Sequence, residues 1–303
     1  NYDCAVKGEN ISKKFKTFTL DIPDLRVPKG FATALIGENG AGKTTLLNML
    51  SGIRLDYKGE LTFFDKYSSE EKERRADVKN RIGYTGTGRY YLPQWTVSDV
   101  EEISSLLFDN FDRDEFERYC RELAIFPDSP DGVALKKKCS ALSDGTRTKL
   151  MLAGVMARDT DLLLLDEPFS ALDYLMRDKL CQMIGDYISD GAGEKSVLFS
   201  THNISDMESI TDYAIIMEHG NVVECGFVED LKEKYILIKG DAQDAEVASN
   251  ILYTMTKNPY GFEGICLAEN LDKLAGMNVS KEIPSLFQIS VAVMKNNTKM
   301  VLK

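Results

Sequence analysis

The feature that most constrains this chain is a glycine-rich segment, residues 37–44, placed between a buried strand and a helix. It reads Gly-Glu-Asn-Gly-Ala-Gly-Lys-Thr, a full match to G-x-x-x-x-G-K-T. An apolar strand is predicted at 31–36 and a helix at about 42–51. Such a loop turns its backbone N–H groups towards phosphate oxygens, and the helix N-terminus adds positive potential. The segment therefore predicts a phosphate loop in an α/β fold.

A second signal is an apolar strand, predicted at 161–166, that ends in the acids Asp166 and Glu167. Ligands of open α/β sheets lie beyond the carboxyl ends of the strands. Asp166 can hold Mg²⁺ through water, and Glu167 can polarise an attacking water as a general base. Alone, the pair is more simply read as a buried strand followed by a helix-capping acid. Beside a phosphate loop, it favours a nucleotide site.

Strands and helices alternate over much of the chain, which indicates βαβ units and a largely parallel, buried sheet. Asp112 is predicted to cap a helix within 97–123, and Pro23 to break an early strand. Other expected elements are helices at 144–158, 173–190, 205–211, 227–234 and 244–257, strands at 82–85, 196–200 and 235–239, a hairpin of 214–217 with 221–225, and a mixed segment at 283–295.

Three further segments follow in a recognisable order. Leu-Ser-Asp-Gly-Thr at 142–146, here called the signature segment, precedes the acid pair; Ser-Ala-Leu-Asp at 170–173 and Ser-Thr-His at 200–202 follow it. With the phosphate loop and the acid pair, these segments resemble the ABC ATPase family over roughly residues 1–235.

The resemblance implies a P-loop NTPase ABC cassette at 1–235, with a parallel core sheet, an antiparallel β-subdomain and a helical signature subdomain at about 88–158. Residues 236–303, here called the tail, do not match the cassette and are expected to form a small α+β domain. That domain is expected to stabilise a dimer or dock a partner. The irregular signature segment and the small tail are similar to bacterial exporter and antibiotic-resistance branches.

The resemblance also implies an ATPase that uses ATP and Mg²⁺. A second subunit would cover the γ-phosphate with its signature segment, so an ATP-dependent dimer of like or unlike cassettes is expected. The implied catalytic residues are Glu167, His202 and Lys43. The implied nucleotide-binding residues are Phe15, Asn39, Gly40, Gly42, Lys43, Thr44, Thr45, Ser143 and Gly145, and the implied metal ligands are Thr44, Asp166 and Thr87.

Two departures from the family are visible. Thr87 stands where the family has a Gln, and its shorter side chain would reach a metal only through an extra water. In the signature segment, Asp144 replaces Gly and Thr146 replaces Gln. An acid beside a phosphate is unfavourable, so Asp144 is expected to face solvent, with Arg147 compensating its charge.

Composition and charge bear on the class of partner and on the cellular compartment. The net charge of −11 argues against a broadly basic nucleic-acid-binding surface. Six scattered cysteines fit reduced thiols in a cytoplasm, and no apolar run reaches the roughly 20 residues that span a bilayer. The resemblance implies a separately encoded transmembrane permease as the partner, with this chain expected to be peripheral on the inner face of the cell membrane. Tyr90, Tyr91 and Trp95 are candidates for that contact or for packing of the helical subdomain.

The leading hypothesis is the ATP-hydrolysing subunit of an exporter. A soluble ABC ATPase acting on a macromolecular partner, and a nucleotide-gated module that scarcely hydrolyses, remain alternatives.

Overall fold

A computed structural model describes residues 2–86, 90–130 and 132–301, with side chains to 298. Its strands are β1 (Cys4–Lys14), β2 (Thr19–Pro28), β3 (Ala32–Ile36), β4 (Lys58–Phe63), β5 (Tyr67–Ser68), β6 (Ile82–Thr85), β7 (Leu162–Leu165), β8 (Ser196–Thr201), β9 (Tyr213–Glu218), β10 (Asn221–Phe227), β11 (Tyr235–Asp241), β12 (Thr254–Asn258), β13 (Gly261–Leu267) and β14 (Val279–Glu282). Its α-helices are α1 (Lys43–Ser51), α2 (Ser69–Arg74), α3 (Ala76–Asn80), α4 (Val97–Leu107), α5 (Arg113–Glu122), α6 (Asp144–Met156), α7 (Tyr174–Asp190), α8 (Val228–Lys234), α9 (Ala245–Ala248) and α10 (Leu286–Val301).

The central sheet has six strands in the order β10-β9-β3-β8-β7-β6. The five strands from β9 to β6 run parallel to one another. The last strand, β10, joins antiparallel to β9 through the predicted hairpin at His219 and Gly220. The parallel, buried sheet expected from the strand–helix alternation is confirmed.

The strand β7 consists of four leucines, all of which are buried. Leu162 and Leu164 face one core, which lies beneath β1, β2 and α1. Leu163 and Leu165 face the other core, which contains α5, α6 and α7. Side chains alternate between the two faces of a strand, and both faces of this sheet are covered, so each leucine is buried. The strand thus carries Asp166 to a fixed position at its carboxyl end.

The antiparallel subdomain is a four-stranded sheet in the order β2-β1-β4-β5. The prediction that Pro23 breaks the strand here is wrong, because β2 continues through it. In the pairing with β1, Ile22 stands opposite Ile11 and Asp24 opposite Glu9. An edge strand has one side outside the ladder, so a proline without an N–H group is tolerated there.

The helical subdomain contains α4, α5 and α6, and each helix begins at a polar cap. Thr96 accepts a hydrogen bond from the Asp99 N–H group at 3.1 Å. Asp112 accepts from the Glu115 N–H group at 3.0 Å, which confirms the predicted N-cap. Ser143 caps α6 in the same way. These caps satisfy N–H groups that have no partner within the helix.

The predicted helix at 205–211 is wrong, since only a short 3₁₀ turn, Glu208–Ile210, forms. The Thr211 hydroxyl donates to the Met207 carbonyl at 2.7 Å, and Asp212 accepts from the Ala32 N–H group at 2.8 Å. These bonds turn the chain directly into β9. Threonine and aspartate side chains compete for backbone groups in this way and disfavour helices.

The tail folds on a separate antiparallel sheet in the order β12-β13-β11-β14. The predicted helix at 244–257 is wrong: it is limited to α9, and its second half is β12. The alternating Thr254-Met255-Thr256 favours a strand, and the Asn258-Pro259 turn lets β12 pair with β13. The small α+β unit expected for the tail is present.

The last helix, α10, returns from the tail to the cassette. Leu286 and Ile289 are fully buried in the same core as α5, α6 and α7. The Leu286 N–H group also donates to Glu208 at 3.0 Å. The mixed segment expected at 283–295 is therefore mostly helical. A domain boundary at residue 235 divides the tail sheet from the sheets of the cassette. The helix α10, however, shares one hydrophobic core with the cassette.

We expect Ile289→Ala to lower the free energy of unfolding of the cassette by about 2–5 kcal/mol, because it leaves a cavity in the shared core. Urea unfolding followed by the fluorescence of Trp95, the single tryptophan of the chain, measures this. Ile283→Ala is the matched control, because Ile283 is 77% exposed, and we expect a change within about 0.5 kcal/mol. Equal unfolding midpoints for the two variants would contradict a shared core.

Candidate functional site

The phosphate loop joins β3 to α1 and is shaped by its glycines. Gly42 has a φ of +107°, and a Cβ there would lie 2.8 Å from a ring carbon of Phe18. At Gly37 a Cβ would lie 2.5 Å from the Met217 carbonyl oxygen. No side chain among the described residues caps the N-terminus of α1. The loop therefore presents backbone N–H groups at a helix N-terminus, which is the arrangement that binds phosphate.

Lys43 is buried beneath this loop. Its ammonium group donates to the carbonyl oxygens of Gly37 at 2.6 Å and Glu38 at 3.2 Å. It also lies 3.3 Å from Glu167 Oε1. Of the other predicted nucleotide-binding residues of the loop, Asn39, Gly40 and Thr44 are exposed and Thr45 is half-buried. The cation thus lies behind a surface that a phosphate can reach.

The predicted metal ligands Thr44 and Asp166 are in direct contact. The Thr44 hydroxyl donates to Asp166 Oδ2 at 2.7 Å, although the two residues belong to α1 and to the end of β7. Among the described residues, no group of three His, Cys, Asp or Glu side chains could hold a metal ion. A hydroxyl and one carboxylate suit Mg²⁺, which usually takes its other ligands from water and substrate phosphates. The third predicted ligand, Thr87, lies outside the described residues.

Glu167 and His202 form the other half of the site. Glu167 Oε2 lies 2.9 Å from His202 Nδ1. Oε1 is buried, accepts no hydrogen bond from the described residues and faces Lys43. The backbone of Glu167 has a φ of +48°, which is unusual for a residue with a side chain and is typical of functional sites. One carboxylate oxygen thus contacts a histidine, and the other forms an ion pair with the lysine of the phosphate loop.

The signature segment begins α6, where Ser143 Oγ accepts from the Thr146 N–H group at 3.2 Å. The Asp144 side chain is 92% exposed and lies 2.9 Å from Arg147, as predicted for both residues. Gly145 packs so closely that a Cβ would lie 2.8 Å from the Ala171 carbonyl oxygen. Asp144 and Arg147 line a cavity together with Asp166 and Glu167. The start of α6 therefore faces the acid pair across a cleft.

The predicted adenine-stacking residue, Phe15, packs against Phe18, and Phe18 in turn lies against the phosphate loop. Its ring centroid is 5.7 Å from that of Phe18, and the Arg54 guanidinium lies 5.2 Å from it. Phe18 itself touches Gly42. Phe18 was not among the predicted nucleotide-binding residues, because the alternation of residues 18–22 indicates a strand but not the contact of Phe18 with the loop.

Two further residues near the acids were missed. Burial, with the charge of Asp166, raises the pKa of Tyr84 to about 12, so its hydroxyl stays protonated and donates to Asn48 at 2.8 Å. The Ser200 hydroxyl donates to Asp166 Oδ1 at 2.6 Å. Both residues lie on strands next to β7, and only the order of strands in the sheet identifies them as neighbours of Asp166.

The aromatic residues of the helical subdomain divide between packed and exposed positions. Tyr91 and Trp95 pair at 6.4 Å between ring centroids and pack against the core. Tyr90 is 45% exposed. Together with Ile103 and Leu107, these three aromatic residues line a groove on the outer side of α4 and α6, here called the α4–α6 groove.

Comparison with known proteins agrees with this geometry. The model of the family described as ABC transporter matches residues 20–170. This chain contains an ABC transporter ATP-binding domain. An ABC ATP-binding domain is the ATPase module of its family, and the cassette fold, the phosphate loop and the acid pair agree with it.

Relatives of this ABC chain are ATP-binding proteins of transporters. A sulfate/thiosulfate import ATP-binding protein of Mesorhizobium japonicum is 28% identical over 75% of this chain and 64% of its own length. An energy-coupling factor transporter ATP-binding protein of Lactococcus lactis is 28% identical over 71% of this chain and 74% of its own length. The chain thus spans just under two thirds of the first relative and about three quarters of the second.

Solved structures show the same ABC cassette fold. The ATP-binding subunit of an ABC transporter superposes with a TM-score of 0.63 at 21% identity, covering 75% of this chain and 92% of that one. A dimeric cassette bound to ADP and Pi, in a post-hydrolysis state, superposes with a TM-score of 0.60 at 20% identity, covering 74% of this chain and 98% of that one. Along the described residues of the present chain, no helix has both the length and the apolar character needed to cross a membrane.

Proposed function

We propose that this chain binds and hydrolyses ATP and drives a separate transmembrane permease from the inner face of the cell membrane. The observation that carries the proposal is the convergence of five side chains at the carboxyl edge of the central sheet. They are contributed by three separate segments of the chain and are Lys43, Thr44, Asp166, Glu167 and His202.

The phosphate loop supports the binding of a triphosphate. Among the residues that the structure describes, the contacts of the Lys43 ammonium are the carbonyl oxygens of its own loop and Glu167. A β- or γ-phosphate would offer it a stronger, charge-assisted partner. Thr44 and Asp166 would hold Mg²⁺, which neutralises charge on the transferred phosphoryl group. The Thr44 hydroxyl can serve there once it leaves Asp166 Oδ2.

Glu167 is suited to act as the general base. Its buried Oε1 accepts no hydrogen bond from the described part of the chain and lies 3.3 Å from the Lys43 ammonium. When that ammonium binds a phosphate instead, Oε1 can accept the proton of an attacking water. His202 holds Oε2 at 2.9 Å and thereby keeps Oε1 turned towards the phosphate side. A general base positioned in this way contributes about 10²–10⁴-fold to a rate.

The signature segment supports an ATP-dependent dimer. Ser143 and Gly145 lie at the N-terminus of α6, where N–H groups and the helix dipole attract an anion. In the proposed dimer they bind the γ-phosphate held by the other subunit. The outward-facing Asp144 is paired with Arg147 at 2.9 Å, and this pairing reduces the repulsion that an acid near phosphate would cause.

The α4–α6 groove is the proposed docking site for a helix of the permease. It is lined by aromatic and aliphatic side chains, among them Tyr90, Trp95 and Leu107. Leu107 is 66% exposed at the end of α4 and lines the groove together with the exposed Tyr90; exposed apolar patches of this kind mark interaction sites. An amphipathic helix in such a groove is a common mode of recognition.

Export is the proposed direction of transport, because the irregular signature segment and the small tail are similar to exporter branches of the family. Relatives whose names state a direction, such as the sulfate/thiosulfate import protein and a thiamine import protein of Haemophilus influenzae, are import proteins. Uptake and efflux measured in oriented vesicles that contain the permease distinguish the two directions.

The test of the proposed function is ATP turnover with and without a permease encoded beside this chain. We expect Mg-ATP hydrolysis that EDTA abolishes, and a several-fold stimulation by the reconstituted permease. Leu107→Glu is expected to lose the stimulation, because it places a charge in the groove. Leu106→Glu is the matched control, since Leu106 is 76% exposed and does not line the groove. No turnover in any preparation, or equal stimulation of both variants, would contradict the proposal.

A further inference from the structure

A buried hydroxyl links the two acids of the site. Ser200, near the end of β8, is fully buried. Its hydroxyl donates to Asp166 Oδ1 at 2.6 Å and accepts from the Glu167 N–H group at 2.8 Å. This one hydroxyl group therefore donates to the side chain of Asp166 and accepts from the backbone of Glu167.

The contact with Asp166 determines how that carboxylate is turned. Oδ1 is held by Ser200, and Oδ2 accepts from the Thr44 hydroxyl at 2.7 Å. The terminal torsion of an aspartate is otherwise broad and poorly defined. With Ser200 on one oxygen, the other oxygen is kept towards α1 and the phosphate loop, which is where a metal held with Thr44 would need it.

The contact with Glu167 holds a strained backbone. Glu167 has a φ of +48°, a conformation that persists only where the surroundings enforce it. The bond from its N–H group to Ser200 is one such restraint. On the other side of the residue, the Glu167 carbonyl accepts from the Ser170 hydroxyl at 2.9 Å, and His202 acts on the side chain at 2.9 Å. Ser200 thus restrains the N–H side of Glu167, where the residue leaves β7.

We propose that Ser200 is a positioning residue for ATP hydrolysis, which orients the Asp166 carboxylate for the metal and fixes the Glu167 backbone for proton abstraction. This inference rests on the proposed function, in which Glu167 is the general base. Ser200 takes no part in the chemistry itself, since both of its hydrogen bonds are made to Asp166 and Glu167.

The same strand offers a matched control. Ser196 begins β8, is also fully buried, and its hydroxyl accepts from the Gly30 N–H group at 2.9 Å. Ser196→Ala therefore removes a buried serine hydroxyl from the same strand without touching either acid. A loss of stability alone would affect both variants, whereas a loss of positioning would affect only Ser200→Ala.

The experiment compares wild type, Ser200→Ala and Ser196→Ala in Mg-ATP turnover, in direct calorimetric binding of ATP with Mg²⁺ or with EDTA, and in thermal unfolding. We expect Ser200→Ala to lower kcat by about 10–100-fold, the usual effect of removing a group that orients a ligand. The Kd for ATP in EDTA should change by less than about threefold, while the factor by which Mg²⁺ tightens binding decreases. Ser196→Ala should keep kcat within about threefold of wild type.

Two substitutions at the same position test whether the hydroxyl is responsible. Ser200→Thr keeps the donor and acceptor and should recover most of kcat, whereas Ser200→Cys keeps the size but is a weak donor and should resemble Ser200→Ala. The inference is overturned if Ser200→Ala keeps a kcat within threefold of Ser196→Ala, or if Ser200→Cys turns over as fast as wild type. A wild-type protein without turnover contradicts the proposed function instead.

Discussion

Glu167→Gln is expected to reduce ATP turnover by about 10²–10⁴-fold while ATP binding is retained. The substitution keeps the size of the side chain and its contact with His202, but it removes the basic oxygen that faces Lys43 at 3.3 Å. It also removes a negative charge next to the phosphate position, so affinity for ATP should not fall. Phosphate release measured at saturating Mg-ATP gives the change in kcat.

The same variant is expected to accumulate an ATP-bound dimer, because the bridging nucleotide is no longer cleaved. Size-exclusion chromatography with light scattering, with and without ATP, measures the molar mass. Glu229→Gln is the control, since Glu229 is exposed in the first turn of α8 and should behave as wild type. Turnover by Glu167→Gln equal to wild type would show that another group is the base, and a monomer at saturating ATP would refute the dimer.

Lys43→Ala is expected to weaken ATP binding by about 10- to 150-fold. A hydrogen bond to a charged group contributes about 1.5–3 kcal/mol, and each 1.4 kcal/mol is a factor of ten in affinity. Lys43 is the buried cation of the loop, only 6% exposed, and its removal also leaves Glu167 facing the phosphates without a counter-charge. Calorimetric titration with ATP measures the Kd.

The control for this substitution is Lys239→Ala, which removes an exposed lysine that pairs with Glu282 on the tail sheet. Its Kd for ATP should equal that of wild type. If Lys43→Ala binds ATP as tightly as Lys239→Ala does, the phosphate loop is not the nucleotide site. If it binds weakly yet unfolds at the wild-type temperature, the loss is one of recognition and not of folding.

Local patterns predicted the elements that carry the site. The glycine spacing of residues 37–44 is typical of a phosphate loop. Four consecutive leucines, when they form a strand, are all buried only if the sheet is covered on both faces. The contacts Thr44–Asp166 and Glu167–His202 follow once β8 lies between β3 and β7 in the sheet. The assignment of chemical roles to these residues remains a proposal.

The failures came from interactions between distant segments. Pro23 is accepted in β2 because that strand lies at the edge of its sheet, a position that only the strand order reveals. Residues 254–258 form β12 because β13 pairs with them, and that pairing outweighs the helical spacing of the segment. The sequence pattern places Ser200 only at the end of a strand. Its contact with Asp166 depends on the pairing of β7 with β8.

The return of α10 to the cassette has a consequence during synthesis on the ribosome. The side chains that complete the core, among them Leu286 and Ile289, follow the tail sheet in the chain. After residue 235, 66 residues follow up to residue 301 (301 − 235), which take about 3–13 s to translate at roughly 5–20 residues per second. During that interval the nascent cassette presents an uncovered apolar surface, and chaperones that recognise such surfaces have time to bind it.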